Sequence, residues 1–271
     1  MAIVGVVLYV IYALALFAMQ DKLIYPRFMI RDERGAPVAA GVTKLERRTD
    51  VGDVHAWLLM PTRARDEARP DAPSPLVVFF HGNAESAGSN IGHVRHYRDA
   101  GFAVLIPEYR GYAGAAGTPT EAGIVDDAMW FIDEARRDPR VDERLVLHGR
   151  SLGGGVAAQI AAAQVRAGKG PDALILESSF TSIAAFARKQ LVPAFLLRSP
   201  YRTDRVLASL ECPVLILHGS DDTLIPVSHA RTNAKRAKDA TLVELAGDHN
   251  DFPRDEAAYW RAIDAHLERV R

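Results

Sequence analysis

Cysteine is nearly missing from this sequence: Cys212 is alone among 271 residues, which excludes an intramolecular disulfide framework. The redox compartment stays open, because many proteins that face an oxidising space also lack the residue. A charge of one sign is missing too. Lysine and arginine number 33 against 34 aspartates and glutamates, for a net charge of −1. No basic excess points to nucleic acid, and no acidic excess points to a solvating tail. Internal repeats and low-complexity tracts are absent. What remains is the composition of one sizeable globular domain, 48% hydrophobic and 25% charged, of a length that suits a single α/β unit.

The other absence is local. Ala2 to Met19 holds no charged residue, and Gln20, Asp21 and Lys22 end the run. At about 1.5 Å per residue such a helix reaches roughly 27 Å, enough for a bilayer core. A cleaved signal peptide is a competing reading, given the small residues at Ala13, Ala15 and Ala18, but a basic n-region is missing. A buried or interfacial helix competes as well, although the run has no polar face. We expect an uncleaved single-pass anchor over residues 1–20 that inserts through residues 2–19, a connector over 21–41 and a catalytic domain over 42–271. Tyr9, Tyr12 and Tyr25 are placed to sit near the membrane interfaces. Lys22, Arg27, Arg31 and Arg34 follow the span, so the positive-inside rule favours a cytoplasmic domain. That rule weakens before long translocated domains, which leaves the side of the membrane open.

Beyond the connector, short apolar runs alternate with helical patterns. Strands are expected near Val42–Thr49, Val54–Met60, Leu76–Phe80, Phe102–Ile106, Arg144–His148, Ala173–Glu177, Pro213–His218 and Thr241–Leu245. The last six are nearly continuous apolar runs, as parallel strands buried on both faces require. The first two lie close together with no helix between them, which predicts an antiparallel start. Helices are expected over Ser89–Ala100, Thr120–Arg137, Leu152–Ala167, Ser182–Leu191, Val227–Lys238 and Arg254–Arg271, and Thr62–Ser74 is read as a polar surface loop. The alternation predicts an α/β fold with a mostly parallel, eight-stranded, doubly wound sheet and helices on both faces.

In such a sheet, functional groups gather beyond the carboxyl ends of the strands. The fifth strand runs into Gly149-Arg150-Ser151-Leu152-Gly153 and then a helix, the strand–turn–helix setting in which G-x-S-x-G carries information. A serine hydroxyl needs a base, and the base needs an orienting acid. The seventh strand leads to Asp221-Asp222, and the eighth to Gly247-Asp248-His249. The spacing of these segments is read as one strand between each successive pair of sites. Oxyanion donors are expected at the Leu152 amide, just after the serine, and at Asn83 in the loop after the third strand.

These segments, with LIYP (Leu23–Pro26), FHGNA (Phe80–Ala84), YRGY (Tyr109–Tyr112), GRSLGGG (Gly149–Gly155), ESSFTS (Glu177–Ser182), CPVLILHGSDDTLIP (Cys212–Pro226) and GDHND (Gly247–Asp251), resemble the α/β-hydrolase superfamily. The likeness is strongest to its small membrane-anchored serine hydrolases with a minimal lid, and covers about Leu23 to the C-terminus. It implies Ser151 as nucleophile, His249 as base and Asp222 as acid. Spacing alone does not separate Asp221 from Asp222; the family's D-x-x-I-P register falls on Asp222. It also implies hydrolysis of carboxylic esters or thioesters of acyl-lipid or small acyl compounds, with no cofactor and no metal. Glu108 stands where aspartate is commoner in the family, and Glu85-Ser86-Ala87 lengthens the loop after Asn83.

Each residue also has a plainer role. Glu177 ends a strand and fits a structural carboxylate bonded to loop amides better than a displaced acid. His81 fits a loop-shaping histidine, and His148 and His218 fit local packing or hydrogen bonding. His93 and His96 share a helix face without a clear third metal ligand. Ser178, Ser179 and Ser182 fit a loop and helix cap. Arg150 faces either the substrate or a carboxylate such as Glu108. The apolar residues of Thr181–Leu210 read first as a core-packed helix and turn, and second as a hydrophobic rim for acyl chains. Two functional rivals share the fold: an acyltransferase on the same residues, and a non-catalytic membrane-anchored binding protein.

Overall fold

Residues 2–30, 41–64, 69 and 71–270 are described by the computed structural model of the chain. Residues 31–40 of the connector, with Arg31 and Arg34, and part of the polar loop after Thr62 lie outside them. The uncharged N-terminal run forms helix α1 (Ala2–Ile24), which continues past Gln20. It is long and apolar enough to cross a membrane, with a mean hydropathy of 2.6. The sheet opens with β1 (Val42–Thr49), β2 (Gly52–Leu59) and β3 (Ser74–Phe80), followed by α2 (Arg95–Asp99), β4 (Ala103–Pro107) and α3 (Glu121–Ala135). Next come β5 (Val141–Arg150), α4 (Leu152–Arg166), β6 (Ala173–Glu177), α5 (Ile183–Lys189) and α6 (Thr203–Leu207). The chain closes with β7 (Val214–Gly219), α7 (Ser228–Arg236), β8 (Ala240–Leu245) and α8 (Glu256–Leu267).

The eight strands form one sheet in the order β1-β2-β4-β3-β5-β6-β7-β8. Pairing is antiparallel between β1 and β2 and between β2 and β4, and parallel from β4 to β8. The antiparallel start and the parallel remainder match the sequence-based expectation. In β3, Leu76, Val78 and Phe80 join the core beneath α3 and α4, while Val77 and Phe79 join the core beneath α2 and α8. Burial on both faces is why β3, β4, β6 and β7 lack the apolar–polar alternation of a half-exposed sheet, whereas β8, expected to be buried likewise, is a partly exposed edge strand.

Caps place the helices. Thr120 accepts from the Gly123 amide at 3.0 Å to start α3, Ser182 from Ala185 at 3.1 Å to start α5, and Asp255 from Ala258 at 2.9 Å to start α8. Of the helix expected over Ser89–Ala100, only Arg95–Asp99 is α-helical; the stretch before it is a short 3-10 helix and a turn. The Ser86 hydroxyl accepts from the Ser89 amide at 3.1 Å, and the Asn90 side chain donates to the Ser86 carbonyl at 2.9 Å. Such local bonds offer the backbone an alternative to the helical ladder.

Candidate active site

The turn between β5 and α4 is sharp. Ser151 adopts φ 54° and ψ −114°, a strained conformation that costs on the order of 1–3 kcal/mol. Three contacts hold it there: its amide donates to the Glu177 carbonyl at 2.8 Å, and its own carbonyl accepts from Ser179 Oγ at 2.9 Å and from the Gly154 amide at 3.1 Å. The flanking glycines make room. A Cβ on Gly149 would stand 2.0 Å from the Gly153 carbonyl oxygen, and one on Gly153 would stand 1.9 Å from that of Phe80. Ser151 occupies the N-cap of α4 yet makes no side-chain cap bond, which leaves its hydroxyl free.

That hydroxyl lies 3.0 Å from His249 Nε2. The other ring nitrogen, Nδ1, lies 2.8 Å from Asp222 Oδ2, and Asp222 Oδ1 accepts from the Ile225 amide at 2.7 Å. Asp222 and His249 are both buried. Asp221 points outward, 3.4 Å from Arg254 Nη1. The three predicted residues therefore meet, with Asp222 rather than its neighbour facing the histidine. One detail of the sequence-based arrangement is corrected: β6 separates β5 from β7, but β7 and β8 are adjacent, so no strand lies between the Asp222 and His249 loops. Asp248 fixes the histidine loop by accepting from the amides of Thr223 and His249, at 2.9 and 2.8 Å.

Asn83 and Leu152 line the same pocket as Ser151. The aromatic residues of YRGY hold the Asn83 loop: the Tyr112 hydroxyl donates to the Asn83 carbonyl, and the Tyr109 hydroxyl to that of His81, both at 2.9 Å. His81 is buried, stacks on Tyr109 at 3.9 Å between ring centroids and lies 3.1 Å from Glu108. Glu108 also accepts from the Ala87 amide at 2.9 Å, so it braces both ends of the lengthened loop.

Arg150 pairs with neither Glu108 nor open solvent. Its partners are Glu85 Oε1 at 3.2 Å and Glu177 Oε1 at 3.5 Å. Glu177 is structural, as expected, but its carboxylate meets side chains rather than loop amides: it accepts from the Tyr259 hydroxyl at 2.7 Å and lies 3.2 Å from His148 Nε2. His148 in turn shares a 2.8 Å hydrogen bond with Tyr97. His96 stacks on Trp260 and bonds Asp264, and among the described residues no acidic, histidine or cysteine cluster is arranged to hold a metal.

Burial raises the Glu177 carboxyl, but His148, His93 and Arg150 outweigh it and hold it at about 2, below its ordinary 4.5. A carboxyl depressed by folding contributes stability above its unfolded pKa and loses it as pH falls through the folded value. Glu177→Gln is thus expected to cost roughly 3 kcal/mol at neutral pH, because Arg150 is left without its buried partner. In urea unfolding at a series of pH values, the gap to wild type should close between 4.5 and about 2. A gap that stays constant through that window would assign the loss to packing instead.

The pocket above Ser151 has a volume of about 300 Å³ and is mainly apolar. Ile183 and Phe186 of α5 line it together with Leu196, while Leu191 and Phe195 beside them are 74% and 83% exposed. The segment after Thr181 is therefore the rim of a pocket, not simply a core-packed helix. The sequence-based expectation missed the opposite wall, which comes from α1. The signal was present, since Leu16, Gln20, Leu23 and Ile24 recur at helical spacing.

A family model described as serine aminopeptidase, S33, matches residues 71–203. The alpha/beta hydrolase domain-containing protein WAV2 of Arabidopsis thaliana is 29% identical over 94% of this chain and 89% of its own length. The chain belongs to the α/β-hydrolase superfamily. The lysophosphatidylserine lipase ABHD12 of Danio rerio is 34% identical over 56% of this hydrolase chain, and the match spans 44% of the lipase. The structure of Est1E from Butyrivibrio proteoclasticus superposes with a TM-score of 0.66 at 19% identity, over 85% of this chain and 99% of Est1E, a likeness of fold. The family match ends before Asp222 and His249, so the geometry of those two rests on this structure alone.

Proposed function

We propose that the protein hydrolyses carboxylic esters or thioesters through Ser151, His249 and Asp222. The observation that carries this is the run of contacts from Ser151 Oγ to His249 to Asp222, at 3.0 and 2.8 Å, opening on an apolar pocket. His249 takes the hydroxyl proton as Oγ bonds to the acyl carbon, and Asp222 stabilises the imidazolium. The amides of Leu152 and Asn83 receive the carbonyl oxygen as it becomes an oxyanion. Collapse expels the alcohol or thiol, which leaves with the proton held by His249. Water then repeats the sequence on the acyl-enzyme, releasing the acid and restoring Ser151. Among the described residues, none that lines the pocket carries a carboxylate, which an aminopeptidase would use to hold a substrate ammonium. That favours an acyl substrate, and the similarity to the lysophosphatidylserine lipase ABHD12 supports it.

The same proposal assigns α1 to the membrane as a retained anchor, with residues 42–271 as the catalytic domain. Retention over cleavage is supported by the contacts of residues before Ala18: the Tyr9 and Tyr12 hydroxyls donate to the carbonyls of Leu191 and Gln190, at 2.8 and 3.0 Å, and Leu16 and Phe17 line the pocket. The end of the helix is docked as well. The Gln20 side chain donates to the Leu196 carbonyl at 3.1 Å and accepts from the Arg198 amide at 2.8 Å, and Ile24 and Tyr25 are buried in the core. Removal of a leader at Ala18 would strip the pocket of Leu16 and Phe17.

Fluorophosphonate labelling of the purified full chain, with mass mapping of the adduct, tests the assignment. An adduct on Ser151 that disappears in His249→Ala is the expected result. Folded protein that takes no label would overturn it and favour a binding protein on the same fold.

A further inference from the structure

We propose that the last turns of α1 are one wall of the acyl-binding site, so that side chains on the anchor set the chain-length selectivity of the enzyme. This rests on the ester-hydrolase assignment above and specifies its substrate as a single-chain acyl amphiphile drawn from the bilayer beside the helix. Leu16, Phe17, Gln20, Leu23 and Ile24 line the same cavity as Ser151 and Leu152. At helical spacing these five form one face, about 12 Å long from Leu16 to Ile24. Ile183 and Phe186 of α5 line the same cavity, as does Leu196, whose carbonyl is bonded to Gln20. A methylene chain extending from an acyl carbonyl at Ser151 would lie between an anchor face and a rim face.

The wall is held in place. Gln20 is the one polar member of the face, and both ends of its amide are spent on the Leu196 carbonyl and the Arg198 amide. Asp21 Oδ2 pairs with Arg198 Nη1 at 2.5 Å, and the same guanidinium sits 4.5 Å over the Phe17 ring. Further toward the N-terminus, the Tyr9 and Tyr12 hydroxyls donate to the carbonyls of Leu191 and Gln190, at 2.8 and 3.0 Å. These bonds set exposed Leu191 and Phe195 beside the uncharged stretch of the helix, at a level where the surroundings of a spanning helix are apolar. Leu23 and Leu224 line the cavity and are themselves 57% and 61% exposed, which marks the opening. A chain leaving the bilayer along α1 thus meets apolar side chains from the lipid to the serine. An ordinary tether would need neither the buried glutamine nor a share in the cavity.

The test uses the full chain in lipid nanodiscs and compares kcat/KM for p-nitrophenyl dodecanoate and p-nitrophenyl acetate. Leu16→Trp, which fills the cavity from the helix side, should lower the dodecanoate-to-acetate ratio about tenfold or more. Gln20→Leu, which unfastens the same face without filling it, should lower the ratio in the same direction. Leu14→Trp lies on the same helix but outside the cavity and is 58% exposed; it should keep the wild-type ratio. An unchanged ratio in both Leu16→Trp and Gln20→Leu, with acetate still hydrolysed, overturns the inference and leaves the hydrolase assignment standing. Wild-type protein that cleaves neither ester and takes no fluorophosphonate label removes the assignment and the inference together.

Discussion

Ser151→Ala is expected to lower kcat/KM for a short-chain p-nitrophenyl ester by about ten-thousandfold or more, with circular dichroism unchanged. The loss corresponds to about 5 kcal/mol of transition-state stabilisation, at 1.36 kcal/mol per decade. His249→Ala should cost a similar amount, and the double variant little more, because the two residues act as one proton-transfer unit. Asp222→Asn should fall by about a hundred- to ten-thousandfold, since an amide can hold the imidazole in the wrong tautomer and offers no charge to the imidazolium. Asp221→Asn is the control: its carboxylate faces Arg254 at the surface and should leave the rate at the wild-type level. A tenth or more of the activity surviving in Ser151→Ala would place the nucleophile elsewhere.

Gly153→Ala should be more damaging to the fold than any change of a charged surface residue. The added methyl would stand 1.9 Å from the Phe80 carbonyl oxygen and 2.8 Å from that of His81, both backbone atoms that cannot rotate aside. Relief requires α4 to move away from β3, which dislocates Ser151 from His249 and opens the core that Val156 and Ile160 share with Leu76 and Val78. The expected outcome is a loss of about 3 kcal/mol or more, or no soluble protein, read from urea unfolding or from yield. Gly92→Ala provides the contrast, because nothing lies within 4 Å of its added methyl. It should stay within about 0.5 kcal/mol of wild type. If Gly153→Ala were as mild as Gly92→Ala, the close approach of helix and strand would not be what the motif's second glycine secures.

Much of this arrangement was legible because its causes are local. The apolar runs of β3 and β6 announce strands buried on both faces, and the glycines around Ser151 announce a turn that no larger residue permits. The loops that carry Asp222 and His249 could be placed because each follows a strand end, where the fold must present its loops; the choice of Asp222 over Asp221 came only from the family resemblance. The rest depends on contacts between distant segments. Nothing near Arg150 in the sequence reveals that Glu85, from the loop after β3, and Glu177, from the end of β6, both pair with it. The stretch from Ser89 reads as a helix start until Ser89 and Asn90 are seen bonding back to Ser86. The largest omission was α1: its uncharged run signalled a membrane span so strongly that the face shared with the pocket went unread, although Gln20 in its last turns was the clue.

The burial of Ile24 and Tyr25 in the core fastens the end of α1 to the domain it precedes. On the proposed reading, such an enzyme searches for its substrate by lateral diffusion in two dimensions. What governs its rate is then the mole fraction of substrate among the surrounding lipids rather than the bulk concentration. Adding inert lipid at constant total substrate should slow it by surface dilution, while diluting the whole suspension should not.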